Sequence, residues 1–396
     1  MRYPSRTMKT QVAIIGAGPA GLVLSQLLHL QGIESVVLEG RSRDYVEKRL
    51  RAGMLEQRSV DLLIDMGVGE RLKREAMTHH GLRVQFEGER HRIDLTEVTP
   101  GRNVTIYGQQ EVVKDIIAHR LAYGGAILFE AQAETPQALD GRKAVVRYTQ
   151  NGKQHELEAD YVAGCDGFHG VCRPAVPGKT YEKIYPFAWL GILAQVPPSC
   201  DELIYSRHPH GFALHTMRTP ELTRLYLQCP PTDTVALWPD ARVWEELGTR
   251  LNIDGWKLQE GPVIDKSVTE MRSFVHEPMQ RGRLYLAGDS AHIVPPTGAK
   301  GMNLAMWDAR VLAEGFIEFY KKGSTEGLER YTERALPRVW RAQHFSWWWT
   351  TLFHRFDDED AHFQQNLQVS QLRYILSSRP ALISMAENYV GLDRVR

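Results

Sequence analysis

Apolar positions fall into short runs, helical stripes and alternating stretches along the chain, and these predict its elements in order. Gln11–Ile15 is a short, β-branched apolar run and predicts a buried strand. Leu22, Leu24, Leu27, Leu28 and Leu30 then recur at helical spacing within Gly21–Gln31. Ser35–Leu38 returns to a short buried run. Strand, helix and strand in close succession open an α/β fold with a parallel sheet.

Further along, Leu55–Met66 and Gln109–Ala122 read as helices, the second after a turn at Tyr107–Gly108. Leu82–Phe86 and Ala144–Tyr148 alternate as antiparallel strands do, and Asp160–Gly164 is a strand running into the turn Cys165–Gly170. The texture changes between Tyr185 and Val275, where Ala188–Gln195, Gly211–His215 and Thr223–Gln228 suggest a separate sheet. Arg283–Ala287 is again a buried strand and ends at Gly288–Asp289; from Gly301 helical periodicity dominates. No internal repeat or low-complexity linker divides the chain. The expected organisation is an α/β (α+β) protein: a Rossmann-like dinucleotide-binding region over 8–182, a mostly antiparallel sheet over 183–287 and a helical region over 288–396.

Bulk composition narrows the partners. The 396 residues contain 48 Lys plus Arg and 48 Asp plus Glu, so a net charge of zero gives no electrostatic reason to expect nucleic acid or an acidic membrane surface. Cys165, Cys172, Cys200 and Cys229 form no C-x-x-C pair, which disfavours a disulfide framework or a zinc site and fits a reducing compartment. No metal is expected. Arg2, Arg6 and Lys9 before the apolar run Val12–Leu30 look like a signal peptide, but Gly16, Gly18, Pro19 and Gly21 interrupt that run. Residues before Met8 are expected to be an unstructured leader, and no apolar stretch is long enough to span a bilayer. The expected location is the cytoplasm.

Three motifs carry the chemistry. Gly16-Ala17-Gly18-Pro19-Ala20-Gly21 joins a strand to a helix, and Glu39 ends the next strand. Glycines there let backbone N–H groups approach a pyrophosphate at a helix N-terminus, and the acid is placed for an adenosine ribose. A merely structural glycine turn leaves Glu39 unexplained. Gly164-Cys165-Asp166-Gly167 follows a second strand, and Gly288-Asp289 a third, continuing through Pro295-Pro296-Thr297-Gly298-Ala299-Lys300-Gly301-Met302-Asn303. Each of the last two alone is more often just a turn.

In this order the three motifs resemble those of the flavoprotein aromatic hydroxylases. The resemblance implies FAD as resident dinucleotide, with Asp289 on its ribityl chain and Asp166 supporting flavin and nicotinamide. The longer match over Gly288–Asn303, together with Arg51-Ala52-Gly53 and Leu55-Glu56-Gln57, narrows it to members acting on 4-hydroxybenzoate, from about Met8 to Leu392. By that resemblance Arg51, Gln109, Asp289 and the loop with Gly298, Lys300, Gly301, Met302 and Asn303 contact FAD, and Arg224 steadies the reduced, anionic flavin. Loop amides can stabilise negative charge on the ring.

The same resemblance implies a substrate set of Tyr205, Thr216, Arg218, Tyr226, Pro296 and Tyr389. A benzoate carboxylate asks for a rigid bidentate donor, which Arg218 supplies, with Thr216 and Tyr226 as hydroxyl donors. Tyr205 can share the phenolic proton, Tyr389 and then His79 can relay it, and the Pro296 carbonyl faces the substrate hydroxyl. Each tyrosine or arginine taken singly is more often a half-buried strand residue, and His79, with its neighbour His80, a surface group. A member of the family carries serine where this chain has Thr216. Expected nicotinamide contacts are Tyr45, Arg49, Arg51, His169 and Arg272. The basic run Arg41, Arg43, Lys48, Arg49 and Arg51 reads either as a solvated helix face or as attraction for an NADPH phosphate; NADPH is the expected reductant, and NADH use stays open because Gly40 stands where the family often has arginine. The implied reaction uses NADPH or NADH and O₂ to place a hydroxyl at C3 of 4-hydroxybenzoate, giving 3,4-dihydroxybenzoate through a flavin C4a-hydroperoxide. Alternatives are a related ring (3-hydroxybenzoate, 4-aminobenzoate or 3,4-dihydroxybenzoate), a simple nicotinamide dehydrogenase, or a flavin-binding sensor. A homodimer is expected, and the cluster Phe345-Ser346-Trp347-Trp348-Trp349 is either core or subunit contact.

Overall fold

The strand Met8–Ile15 lies at the centre of the first sheet, paired in parallel with Ser35–Leu38 on one side and Lys153–Gly164 on the other. This computed structural model describes residues 8–49, 51, 53–357 and 360–391. Ala52, Leu392 and the expected leader before Met8 fall outside the described residues. The sheet continues in parallel through Leu284–Leu286 and Ala126–Leu128, while Ala144–Gln150 pairs antiparallel with Lys153–Gly164. Ser35–Leu38 is buried at every position, as a strand covered on both faces must be. Helix Pro19–Leu30 covers it and packs on the long helix Gly301–Lys322. Pro19 opens the first helix, where a missing N–H costs nothing. Gly323, at φ +73°, ends the long one behind Lys321 and Lys322.

The second sheet runs in the order His292–Ile293, Val263–Glu277, Lys179–Ala194, Leu222–Cys229, Ala213–Thr219, Ile204–Ser206, Gly81–Phe86, Glu89–Asp94. All its pairings are antiparallel except Ile204–Ser206 with Gly81–Phe86. Its strands cross the expected divisions at 182/183 and 287/288. Gly81–Phe86 and Glu89–Asp94 join it from inside 8–182, and Leu284–Leu286, inside 183–287, belongs to the first sheet. Sheet membership is set by non-local pairing, which period-2 patterning within one strand does not encode.

One face of the second sheet packs Leu225, Leu227, Ile204 and Ala213 against helix Asp240–Leu251 through Val243, Trp244 and Leu247. The other face carries Tyr205, Leu214 and Trp189 against the C-terminal helices Tyr331–Phe353, Ala361–Ser377 and Arg379–Val390. The helix expected over Leu55–Met66 is shorter, Gln57–Asp65. Met54–Glu56 is instead a strand paired with Val104–Ile106, which also pairs with Met77–His79.

Candidate active site

Three glycines at the start of the chain are required by different things. Gly16 has φ +105°, and a Cβ there would sit 2.3 Å from the Cys165 carbonyl oxygen. At Gly21 a Cβ would meet the Gly16 carbonyl oxygen at 2.1 Å. Protein packing thus accounts for both. Gly18 has an ordinary φ of −79°, and a Cβ on it would meet nothing within 4 Å. The space beside Gly18 is open, at the N-terminus of helix Pro19–Leu30, where a pyrophosphate fits. Glu39 is held beside it: its Oε2 accepts from the Ala17 N–H at 2.8 Å and its Oε1 from the Arg41 N–H at 2.8 Å. The donor set therefore fits a dinucleotide such as FAD. Gly18→Val is expected to leave the flavin-free protein's Tm unchanged and to weaken FAD binding by at least ~30-fold, the cost of about two charge-assisted hydrogen bonds; fluorescence titration of the apoprotein with FAD measures it.

The second and third motifs meet the first at the same edge. Cys165 N–H donates to the Ile15 carbonyl, and Ala287 N–H to the Gly164 carbonyl. Asp166 Oδ2 accepts from Cys172 N–H at 2.9 Å, its Oδ1 is buried without a partner, and a Cβ on Gly170 would overlap its carboxylate. Burial raises the Asp166 carboxyl above the ordinary value. Asp289 is exposed, within electrostatic reach of Arg51, Arg49 and His292. Arg51 in turn senses Tyr45 and Tyr226, so it stands between Asp289 and the strand of Tyr226. Gly53 explains how Arg51 comes near Gln109. Its carbonyl accepts the Tyr107 N–H at 2.7 Å, and a Cβ would strike Gly108, the residue before Gln109.

The loop after Pro295 is clamped by buried side chains. Asn303 Oδ1 accepts from Glu56 N–H at 2.9 Å and Ser59 Oγ at 2.7 Å, while its amide donates to the Met54 and Ala299 carbonyls. Lys300 Nζ donates to Glu56 Oε1 at 2.8 Å and to the Tyr389 carbonyl at 2.7 Å. Gly298 lies against Ser346, and Ala299 is left-handed at φ +51°. This rigid bend leads into helix Gly301–Lys322, whose first amides at Gly301, Met302 and Asn303 are the donors a helix start leaves for an anionic ring.

Strand alternation gathers the strand members of the expected substrate set. Tyr205 is opposite Leu214, which is opposite Tyr226, while Thr216 is opposite Arg224. A period of two therefore puts Tyr205, Thr216, Arg224 and Tyr226 on one face. Arg218 continues that strand; its guanidinium donates to the Met217 carbonyl at 3.1 Å and the Tyr226 hydroxyl at 3.3 Å. Among the described residues it forms no ion pair with a carboxylate, so a half-buried cation awaits an anion. Burial raises the Tyr226 phenol, yet Arg218 and Arg224 outweigh it and hold the group below its ordinary value. Arg224 lies over the Tyr226 ring at 5.2 Å and reaches Asp265 at 3.4 Å; only a glycine at 191 leaves room for it.

Tyr205 and Tyr389 are 1% and 0% exposed and their hydroxyls are 3.0 Å apart. Tyr205 donates to the Thr297 carbonyl at 3.3 Å, so Tyr389 is the donor between the two phenols. Burial pushes Tyr205 up to about 12, against the hydrogen bond from Tyr389, and raises Tyr389 well above its ordinary value. Phenols in this state carry protons without ionising at neutral pH. Trp349 and Phe353 box the Tyr205 ring at 5.5 and 5.6 Å. The Pro296 carbonyl accepts the Ala299 N–H at 2.9 Å, which leaves it one lone pair.

Some predicted partners are not brought together. His79 is buried but forms no hydrogen bond to either phenol; its Nδ1 has no partner, and its charged neighbours are Glu202, Asp201 and His80. Burial lowers it to about 4, so the imidazole is neutral. Arg272 is engaged by Glu182 at 3.1 Å and Glu270 at 3.0 Å and covers Phe168, beside exposed His169. Tyr45 is exposed with Arg41 over its ring. Arg43 pairs with Glu47 and Lys48 with Asp44, which neutralises part of the basic run. Of the aromatic cluster, Phe345 and Trp349 are core while Trp347 is 40% exposed.

Sequence reasoning missed two supporting groups. Glu56 is the buried counterion of Lys300 and also receives Arg338. His354 accepts the Trp189 indole N–H at 2.6 Å and fixes that ring against Tyr226 at 4.8 Å. Glu56 falls inside the Leu55-Glu56-Gln57 match, but nothing in that match pairs it with Lys300, and His354 sits in no motif.

Comparison with known proteins bears on this geometry. A family described as FAD binding domain matches residues 9–346. The chain is 50% identical over 392 residues to p-hydroxybenzoate hydroxylase of Acinetobacter baylyi, covering 98% of this chain and 96% of that one. It is 25% identical over 338 residues to a probable NADH-specific resorcinol 4-hydroxylase of Rhodococcus jostii, covering 76% of this chain and 58% of that protein. The crystal structure of a p-nitrophenol 4-monooxygenase from Pseudomonas putida superposes with a TM-score of 0.84 at 20% identity, covering 98% of this chain and 100% of the other.

Proposed function

The chain belongs to the FAD binding domain family, and from that premise we propose that it hydroxylates 4-hydroxybenzoate at C3 to give 3,4-dihydroxybenzoate, with NAD(P)H and O₂. The observation that carries this reading is the polar asymmetry of one sheet face. The Arg218 guanidinium, which among the described residues pairs with no carboxylate, bonds the Tyr226 hydroxyl at one part of that face, and Tyr205 forms with Tyr389 a pair of un-ionised phenols 3.0 Å apart at another. That arrangement suits a ring bearing a carboxylate and a hydroxyl at opposite ends.

Bound FAD supplies hydride acceptance from the nicotinamide and the activation of O₂ for transfer of one oxygen atom to the ring. Gly16, Gly18, Gly21, Glu39, Arg51, Gln109, Asp166, Asp289 and the 298–303 loop would hold it. Arg218, Thr216 and Tyr226 bind and orient the substrate carboxylate. Tyr205 receives the proton of the 4-hydroxyl as its own passes to Tyr389 and the Tyr389 proton leaves toward solvent, which makes the ring carbon ortho to the substrate oxygen electron-rich. Trp349, Phe353 and Phe345 exclude water around the phenols. His79 is a further proton station through intervening water, since no direct bond links it to Tyr389.

The nicotinamide docks, in this reading, along Tyr45, Arg49 and Arg51, with His169 and Arg272 at a second cluster. Because the neighbouring cations are paired and exposed, their pull on an extra phosphate is small. NADPH and NADH are expected to give kcat/KM values within about tenfold of each other. Among the described residues no helix is long and apolar enough to cross a membrane. Four free cysteines agree with a reducing cytoplasm. The exposed Trp340 and Trp347 on helix Tyr331–Phe353 offer a face for a homodimer, which light scattering reads directly.

The test is anaerobic flavin reduction by each reductant with and without 4-hydroxybenzoate, then product analysis in air. Acceleration by 4-hydroxybenzoate and stoichiometric 3,4-dihydroxybenzoate are expected. Stronger acceleration and product from 3-hydroxybenzoate or 4-aminobenzoate would reassign the ring.

A further inference from the structure

The turn that presents Asp289 is held by charged groups behind it. Gly288 is left-handed at φ +68°, and its N–H donates to Asp308 Oδ2 at 2.8 Å from the long helix Gly301–Lys322. His292 Nε2 donates to the same oxygen at 2.6 Å. The two side chains are 0% and 2% exposed, and Asp308 Oδ1 is buried with no partner. Ser290 completes the hold by donating to the Gly164 carbonyl at 2.6 Å, tying this turn to the second motif.

A carboxylate at zero exposure with one unbonded oxygen is strongly disfavoured as an anion unless a cation sits against it. His292 is the group in contact, and its charge also faces Asp289, one residue beyond Gly288. One imidazolium thus serves two carboxylates: Asp308, which fixes the turn, and Asp289, which points to solvent where FAD is to bind. We propose that Asp308 and His292 are a positioning pair for the flavin, gripping the Gly288 amide and balancing Asp289, so that the protein holds FAD most tightly while His292 is protonated. This rests on the reading that FAD binds at Asp289.

The pH dependence has a definite sign. Burial lowers the His292 imidazolium, but Asp308 outweighs burial and raises the group above its ordinary value. On this proposal bound FAD raises it further, so that FAD affinity is highest at pH below the raised value and falls as pH climbs through it. Cys165 and Tyr331, which face Asp308, are driven upward by burial, and burial also raises the Asp289 carboxyl against the pull of His292 and Arg51. On the adjoining strand His276 is bound to the Val176 carbonyl, and Arg173 reaches the Ser290 carbonyl at 3.5 Å.

In Asp308→Asn the amide oxygen can still accept from Gly288, but the imidazole loses its counterion. FAD Kd should rise ~10- to 100-fold at pH 7, as for loss of a buried charged hydrogen bond, and the pH at which affinity falls should move to the acid side. Because the variant can be unstable, ¹⁵N spectra of His292 in the wild-type apoprotein and holoprotein supply an independent reading, with an imidazolium expected at pH 7. A neutral His292 there, a Kd within twofold of wild type, or equal Tm losses in apo and holo Asp308→Asn would each overturn the proposal. Failure of the wild type itself to bind FAD would instead overturn the reading beneath it.

Discussion

The Arg218→Lys protein is expected to bind 4-hydroxybenzoate about 10²-fold more weakly than the parent while keeping its flavin, a loss of roughly 2.7 kcal/mol. Arg218 already spends donors on the Met217 carbonyl and the Tyr226 hydroxyl, which aim the planar guanidinium and leave its remaining N–H groups for the two oxygens of a carboxylate. Lysine offers a point charge with three donors on a flexible stem and cannot satisfy Met217, Tyr226 and both carboxylate oxygens together. The Tyr226 phenol, held below its ordinary value partly by Arg218, should also titrate differently. The perturbation of the flavin spectrum on titration with substrate measures the affinity. Wild-type affinity in Arg218→Lys, with full affinity for a substrate lacking the carboxylate, would remove the clamp from the reading. Thr216 is expected to matter less, because its hydroxyl is one donor among several and it keeps that hydroxyl whether read as serine-like or not.

Much of this was visible in residue order, and the reason differs from region to region. The dinucleotide cradle was legible because its physics is local: Gly16, Gly18 and Gly21 lie within one turn, and Glu39 follows at the end of the next strand. The substrate face was legible only in part. Period-two alternation places Thr216 and Arg218 on one face, or Arg224 and Tyr226, but nothing in sequence says that Tyr205 is opposite Leu214 or that Gly81–Phe86 closes the same sheet. Those facts come from pairing over long separations. The supports were illegible. Asp308 looks like any polar residue of an amphipathic helix until the fold delivers its oxygen to Gly288, and Glu56 was expected inside a helix rather than in the strand that places it under Lys300. Arg272 shows the opposite case: the resemblance implies a nicotinamide contact there, yet Glu182 and Glu270 already occupy its guanidinium.

Tyr205→Phe is expected to cut hydroxylated product by roughly 10²-fold or more, the usual worth of a positioned proton-transfer group, while substrate still accelerates flavin reduction and H₂O₂ accounts for the oxidised reductant. Tyr205 is held near 12 and Tyr389 well above its ordinary value, so at pH 7 neither is a phenolate able to act as a fixed base. What they can do is pass a proton along: the substrate hydroxyl gives its proton to the Tyr205 oxygen, Tyr205 turns its own from the Thr297 carbonyl to Tyr389, and Tyr389 turns its O–H away from Tyr205 and releases that proton toward solvent, the 3.0 Å separation making the middle step short. Phenylalanine keeps the packing against Trp349 and Phe353 but removes the oxygen on which both transfers depend. Packing and proton transfer are separable by choice of substrate. A ring-fluorinated 4-hydroxybenzoate already ionised at neutral pH needs no proton removed, so the gap between Tyr205→Phe and the parent should narrow several-fold with it. Product yields that fall equally with both substrates would show that Tyr205 acts by shape, and the phenol pair would lose its chemical role.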